Sequence, residues 1–243
     1  MPFFSDFPTH LYSEQLSCHR SSRRRSRVLL GKAWAKQLDV HRSSGSYRLD
    51  RRELAARLQG LEAGEMSARE WEIDPAHTNV GFIAKYLRLS NVRGEFRQFA
   101  GTLRLGDVPE ESSVDITVQT SSIDTGLSVR DEHLRSEDFL DVDNHPVLRF
   151  RSTWVKRVYD NLFEMRGDLT IKGITRPVAL EVCYLGAARD PNGRLKAAFE
   201  ARGSIDREEF GLNWNQRLTS GGFLLDRHVN LQIEAQATPR LAA

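Results

Sequence analysis

The sequence predicts an all-β protein built from antiparallel strands, and three observations carry that prediction. Apolar residues recur with a period of two through most of residues 71–238, as they do in strands with one buried face and one solvated face. Turn residues punctuate the runs, most clearly Asp190-Pro191-Asn192-Gly193, where Asn-Gly supplies the positive φ angles of a tight hairpin. The runs number about seven or eight and follow one another as sequential hairpins, which favours a closed barrel or a sandwich over a parallel sheet. Closure has the further merit of removing exposed edges.

Taken in order, the first element is not part of that pattern. At about 150 residues per domain, 243 residues make one large domain, or one domain with an appendage. Residues 1–70 hold 13 Lys/Arg against 8 Asp/Glu, a net of +5, whereas the remainder holds 22 against 25, a net of -3. The formal charge of +2 therefore describes neither part. Five arginines crowd residues 20–27, and the apolar step after them, Val28-Leu29-Leu30, is soon interrupted by Lys32 and Lys36. That step is too short for a twin-arginine export signal, so a cytoplasmic location is expected. The segment reads as a basic, mostly disordered leader, with two competing readings. It can be an arm that attracts phosphates, or residues 1–65 can be an over-extended reading frame with Met66 the true start. Leu49, Leu54, Leu58 and Leu61 share the spacing of one weak amphipathic helix within it. Residues 239–243 form a short tail after the organised domain.

The strands follow. Val80, Phe82, Ala84 and Tyr86 alternate with polar or small residues, as do Val114, Ile116 and Val118. Leu148, Phe150, Ser152 and Trp154 form the next apolar face, then Phe163, Met165, Gly167, Leu169 and Ile171. Val178 to Tyr184, Phe199 to Ile205 and Val229 to Ala235 complete the series. Residues 128–140 break the period and carry many charges; they read as one short helix touching the barrel through Val129, His133, Leu134 and Leu140. Pro146 opens the next strand, where its missing N–H is tolerated. The small residues on the inward faces have two readings: they leave an apolar void, or they make room for neighbouring rings in a filled core.

Signs of catalysis are few. There is no G-x-S-x-G, no phosphate-binding glycine loop and no C-x-x-C, and the two cysteines are too few for a disulfide scaffold. No stretch of about 18 apolar residues exists to span a membrane as a helix. His133 and Glu137 stand at helical spacing, but two ligands do not make a structural zinc site. An enzyme reading is nonetheless available, with His133 and either Asp131 or Glu137 as acid and base in an isomerase or dehydratase. His77, after Asp74-Pro75, reads as a hydrogen-bonding turn residue, and Asp206-Arg207-Glu208-Glu209 as a solvated charge cluster. No catalytic residue, metal ligand or cofactor is assigned.

Several ordered strings resemble the YceI-like family. They include Trp71-Glu72-Ile73-Asp74-Pro75-Ala76-His77-Thr78, Asn91-Val92-Arg93-Gly94-Glu95-Phe96 and Arg130-Asp131-Glu132-His133-Leu134-Arg135-Ser136-Glu137-Asp138-Phe139. Others are Gly167-Asp168-Leu169-Thr170-Ile171-Lys172-Gly173 and Asp206-Arg207-Glu208-Glu209-Phe210-Gly211. The resemblance spans residues 71–238 and implies a lipocalin-like, eight-stranded antiparallel barrel with a short helix. It implies a carrier or storage protein, not an enzyme, with a polyisoprenoid chain such as a polyprenyl phosphate or a quinone tail in the cavity. On that reading the wall consists of Phe82, Tyr86, Ile116, Phe150, Trp154, Met165, Leu180, Phe199 and Leu231. Arg130, His133, Arg135 and Arg207 would meet the head group. The family often has His at the position of Tyr86, so a polar contact there falls to the Tyr hydroxyl or is lost. The isoprenoid lipid is the expected partner. A homodimer and a transient membrane contact are compatible with the resemblance, and no nucleic-acid partner is expected.

Overall fold

A computed structural model describes residues 70–106, 108–219 and 221–240. The leader, its Met66 and its helix-like spacing lie outside the described residues. The strands are β1 (Glu70–Ile73), β2 (Asn79–Tyr86), β3 (Ser90–Phe96), β4 (Phe99–Arg104), β5 (Ser113–Gln119) and β6 (Ile123–Asp124). They continue with β7 (Val147–Arg157), β8 (Leu162–Ile171), β9 (Ile174–Arg189), β10 (Leu195–Asp206) and β11 (Leu225–Pro239). One α-helix, α1 (Ser128–Arg135), lies between β6 and β7.

These strands make eight staves of one closed barrel. β1 and β2 both pair with β11 and form a single stave, broken at Pro75–His77 by one turn of 3-10 helix. Asp74 imposes that break: its carboxylate accepts from Ala76 N at 3.0 Å, and Pro75 cannot continue a ladder. β3 and β4 form the second stave, pairing with β2 and β1 respectively. β5 and β6 form the third, interrupted by a 3-10 turn at Thr120–Ser122. β7 to β11 are continuous staves, each antiparallel to its predecessor, and β11 returns to β1 through Trp71↔Pro239 and Ile73↔Ala237. The all-β expectation and the eight-stave count both hold, and the sandwich alternative is excluded by this closure.

The meander gives the barrel two unlike ends. At one end lie Glu70, Pro239 and the connections 104–113, 157–162 and 189–195. Trp71, Leu103, Leu195, Ala197 and Ala237 pack together there, with Leu195 1% and Ala237 0% exposed, so this end is sealed by a small core of its own. At the other, the loop end, lie the turn 86–90, the segment 124–147, the turn 171–174 and the segment 206–225. The hairpin at Asp190-Pro191-Asn192-Gly193 forms, but Gly193 alone of the Asn-Gly pair has positive φ, at 79°, and Asp190 Oδ1 accepts from Asn192 N and Arg194 N at 2.9 Å each.

The period-two reading gives the inward face correctly along most staves, and one bulge corrects it on β7. Register shifts between Ser152 and Trp154, so Ser152 pairs with Gly167 but Val155, not Trp154, pairs with Met165. The extra residue reverses parity. Val155 is buried and Trp154 lies outside the barrel, 37% exposed, with the Arg166 guanidinium 5.0 Å from its ring centroid. Ser152 stays inside, and its Oγ accepts Val114 N at 2.8 Å, replacing a ladder bond where β5 and β7 part.

Candidate functional site

The interior is apolar, and it is packed unevenly. On β7, β8 and β9 the inward residues Val155, Met165, Val178, Leu180 and Val182 are buried. On β2, β3 and β11 the inward residues Val80, Phe82, Phe96, Val229 and Leu231 are only half-buried, and so are Ile116 on β5, Phe150 on β7, Leu169 on β8 and Phe199 on β10. An inward side chain that still has free surface borders open volume, because a filled interior would bury it as fully as its opposite neighbours. The interior therefore keeps free apolar surface on several staves. It is closed off at the sealed end by Trp71 and Leu195, each under 5% exposed.

The small inward residues resolve the choice left open by composition. A Cβ at Gly94 would fall 2.3 Å from Phe82 Cζ, and one at Gly167 would fall 2.5 Å from Phe150 Cζ. At Gly203 it would fall 2.6 Å from Leu180 Cδ2. Each glycine is thus the seat of a neighbouring large side chain. The Phe82 and Phe150 rings are thus seated over glycines of the adjacent staves.

Of the expected wall residues, Phe82, Ile116, Phe150, Met165, Leu180, Phe199 and Leu231 are brought together in this interior cluster. Two are not. Trp154 is outside because of the bulge, and Tyr86 sits at the rim, 37% exposed, paired with Ser90 and Leu225.

The expected head-group residues have other partners. Arg130 donates from Nε to Thr125 Oγ1 at 2.7 Å and from Nη2 to Thr125 O at 2.8 Å. Arg135 donates from Nε to Ser121 O at 2.8 Å and from Nη2 to Ile123 O at 2.7 Å. Asp131, buried, accepts from Thr125 N at 2.9 Å and from Thr125 Oγ1. Together they stitch α1 to β6, where β6 no longer reaches β7. Leu134 and Leu140 then pack on the core, whereas Val129, expected to touch the barrel, is 71% exposed. His133 Nε2 lies 2.8 Å from Asp138 Oδ2, and its ring stands edge-on to Phe139 and Trp214 at 5.1 and 4.7 Å between centroids. Its carboxylate partner is thus Asp138 and not Asp131 or Glu137, so the acid–base pair of the enzyme reading is not assembled.

Arg207 corrects the expectation of a solvated cluster. It is 4% exposed and donates from Nε to Asp226 O at 3.0 Å and from Nη1 to Trp214 O at 3.0 Å and to Leu212 O. Burial holds its pKa below the ordinary arginine value, opposed by the carboxylates of Glu208, Asp206 and Asp226. Its Nη2 is buried without a partner among the described residues. The Asp226 carbonyl is available because β11 shifts register against β2 between Leu225 and Val229. Sequence reasoning had no signal for this role, since all three acceptors are backbone oxygens. Among the described residues no group of three or more His, Cys, Asp or Glu side chains is placed to hold a metal ion.

An up-and-down antiparallel barrel of eight staves with an apolar interior belongs to the same architectural class as the lipocalins. Comparison with known proteins narrows the class. The YceI-like domain matches residues 71–237. Protein YceI of Escherichia coli O17:K52:H18 is 39% identical over 155 residues, which cover 63% of this chain and 81% of that one. A crystal structure of the Campylobacter jejuni YceI protein matches with a TM-score of 0.56 at 29% identity, covering 69% of this chain and 96% of that one. A polyisoprenoid-binding domain from Saccharophagus degradans shares the fold, with a TM-score of 0.52 at 11% identity over 70% of this chain and 98% of that one. The chain belongs to the YceI-like family.

Proposed function

We propose that the barrel binds one long apolar isoprenoid lipid, a polyprenyl phosphate or a quinone tail, and acts as its carrier or store. The observation that carries this reading is the apolar barrel interior, many of whose inward side chains are only half-buried and which is closed at one end. A linear isoprenoid suits it because the chain is apolar along its length, and each buried CH₂-sized group is favourable by about 0.8 kcal/mol before ordering costs. The rings seated over Gly94 and Gly167 support the same reading, since they line that interior. The Saccharophagus degradans barrel, described as polyisoprenoid-binding, adds support at the level of the fold. The polar end of the lipid then lies toward the loop end, away from the Trp71 plug.

The test is organic extraction of the purified full-length protein followed by mass spectrometry. An isoprenoid at near-stoichiometric yield is expected. The variant Ala201→Phe, which fills the interior from β10, is expected to yield at least fivefold less lipid while keeping the strand signal in circular dichroism. Repeatedly empty extracts from the parent protein would sink the proposal.

A further inference from the structure

We infer that the turn between β2 and β3 and the neighbouring residues 213–219 and 221–224 dock on the surface of an anionic lipid bilayer. The two are continuous: Leu87 N donates to Leu224 O at 2.8 Å, and Tyr86 pairs with Leu225. Each carries an apolar side chain into solvent, Leu89 at 85% exposure and Phe223 at 51%. The charges that the two segments themselves carry have one sign. Lys85, Arg88, Arg93 and Arg217 are all exposed, and residues 85–94 and 213–224 contain no Asp or Glu. The Arg217 guanidinium lies 5.6 Å from the Phe223 ring centroid, which places a cation beside an aromatic tip. Apolar tips ringed by cations match a bilayer surface, where the ring and the Leu side chain enter the acyl boundary and the cations meet lipid phosphates.

The backbone of the turn supports the assignment. Leu89 N donates to Tyr86 O at 3.0 Å, and both central residues have positive φ, Leu87 at 55° and Arg88 at 57°. Such a turn is least strained with Asn or Gly at these positions. The turn from β8 to β9 follows that preference at its second position, with Lys172-Gly173 at 50° and 73°. At Leu87-Arg88 the chain keeps two large side chains in a conformation they disfavour, which sets them where a partner can use them.

The sealed end makes the contrast. It also exposes apolar residues, among them Val158 and Leu185 at 48% each. Its connections mix both signs, Arg104, Arg157, Arg189 and Arg194 with Glu110, Glu111, Asp160 and Asp190, so its apolar residues are not set among charges of one sign. The docking surface is read from the outside of the barrel and needs no bound ligand; only its use, exchanging lipid between bilayer and interior, rests on the carrier reading.

The test is co-sedimentation of the full-length protein with vesicles of phosphatidylglycerol and phosphatidylcholine in equal parts, at low salt. The double variant Leu89→Asp/Phe223→Asp is expected to bind at least tenfold more weakly than the parent. Val158→Asp/Leu185→Asp is expected to bind as the parent does. Both keep residues 1–69 unchanged, so any binding through the leader cancels. Arg88→Gln/Arg217→Gln gives an independent reading, an expected loss of threefold or more. Tip variants that bind like the parent, or a sealed-end variant that loses binding equally, would overturn the proposal. Lipid extraction separates the two readings. Tip-dependent vesicle binding with an empty extract leaves the docking surface and removes the carrier; a loaded barrel with tip-independent binding does the reverse.

Discussion

The two ends of the barrel are closed by different chemistry. The sealed end is a small hydrophobic core: Trp71, Leu103, Leu195, Ala197 and Ala237 meet across four staves, and side-chain packing does the work. The loop end is held by charged side chains bonded to backbone oxygens, with Arg130, Arg135 and Arg207 all donating to carbonyls. The difference shows that one barrel can fix its two ends by different means. The loop end buries apolar side chains too, Ile123, Leu140 and Phe210 among them, but its loops are fixed by backbone-directed hydrogen bonds.

The comparison can be broken most strongly at the plug. Trp71→Ala is expected to cost about 3–5 kcal/mol, measured by urea unfolding, because it leaves a cavity among buried neighbours. A cost under about 1 kcal/mol would mean that the sealed end is not a core. At the loop end, Arg207→Met is expected to cost about 3 kcal/mol, since the carbonyls of Leu212, Trp214 and Asp226 lose their donor. Arg207→Lys should recover less than half of it, because one ammonium cannot reproduce the planar fork. If the lysine variant were as stable as the parent, charge alone would explain the site.

Between the ends, Gly167→Ala tests the seating of the rings. The new Cβ meets Phe150 Cζ at 2.5 Å and Arg151 O at 2.5 Å, so the ring must swing toward the axis. A loss of about 1–3 kcal/mol is expected, together with a lower yield of extracted lipid. Unchanged stability and yield would show that the ring has room elsewhere.

The smallest effect is a pH dependence near the sealed end. Lys196 donates to Asp74, His77 lies 2.9 Å away, and together they hold the Asp74 pKa at about 2. A carboxylate with a depressed folded pKa adds stability above its unfolded value, near 3.8, and that stability fades as pH falls toward about 2. Lys196→Gln should therefore flatten the loss of stability between about pH 4 and pH 2, as followed by thermal melts. An unaltered slope would assign the acid sensitivity to other carboxylates.

Most of the fold was legible because a barrel writes its inward face into every second residue. The reading failed where geometry changed without a change in composition. Ser152-Thr153-Trp154-Val155 offers two apolar residues for one inward position, and only the bulge decides for Val155. Arg207 was hidden for a different reason. Flanked by Asp206, Glu208 and Glu209, it looks solvated, but the 3-10 turn Arg207–Phe210 turns it inward to acceptors that leave no trace in a side-chain pattern. The same holds for Arg130 and Arg135. Most inward residues were readable from parity; the frame of the loop end was not, because its partners are peptide groups.

An even number of antiparallel staves returns the chain to the end at which it started. Glu70 and Arg240 accordingly lie side by side, with Arg240 N donating to Glu70 O at 2.8 Å. A linker joined directly at residue 70 or residue 240 therefore leaves from the sealed end. The opposite end then stays clear for assay. The same adjacency makes the domain a good subject for circular permutation: a short peptide can join residues 240 and 70, and new termini can be opened at Asn192-Gly193 without crossing a stave.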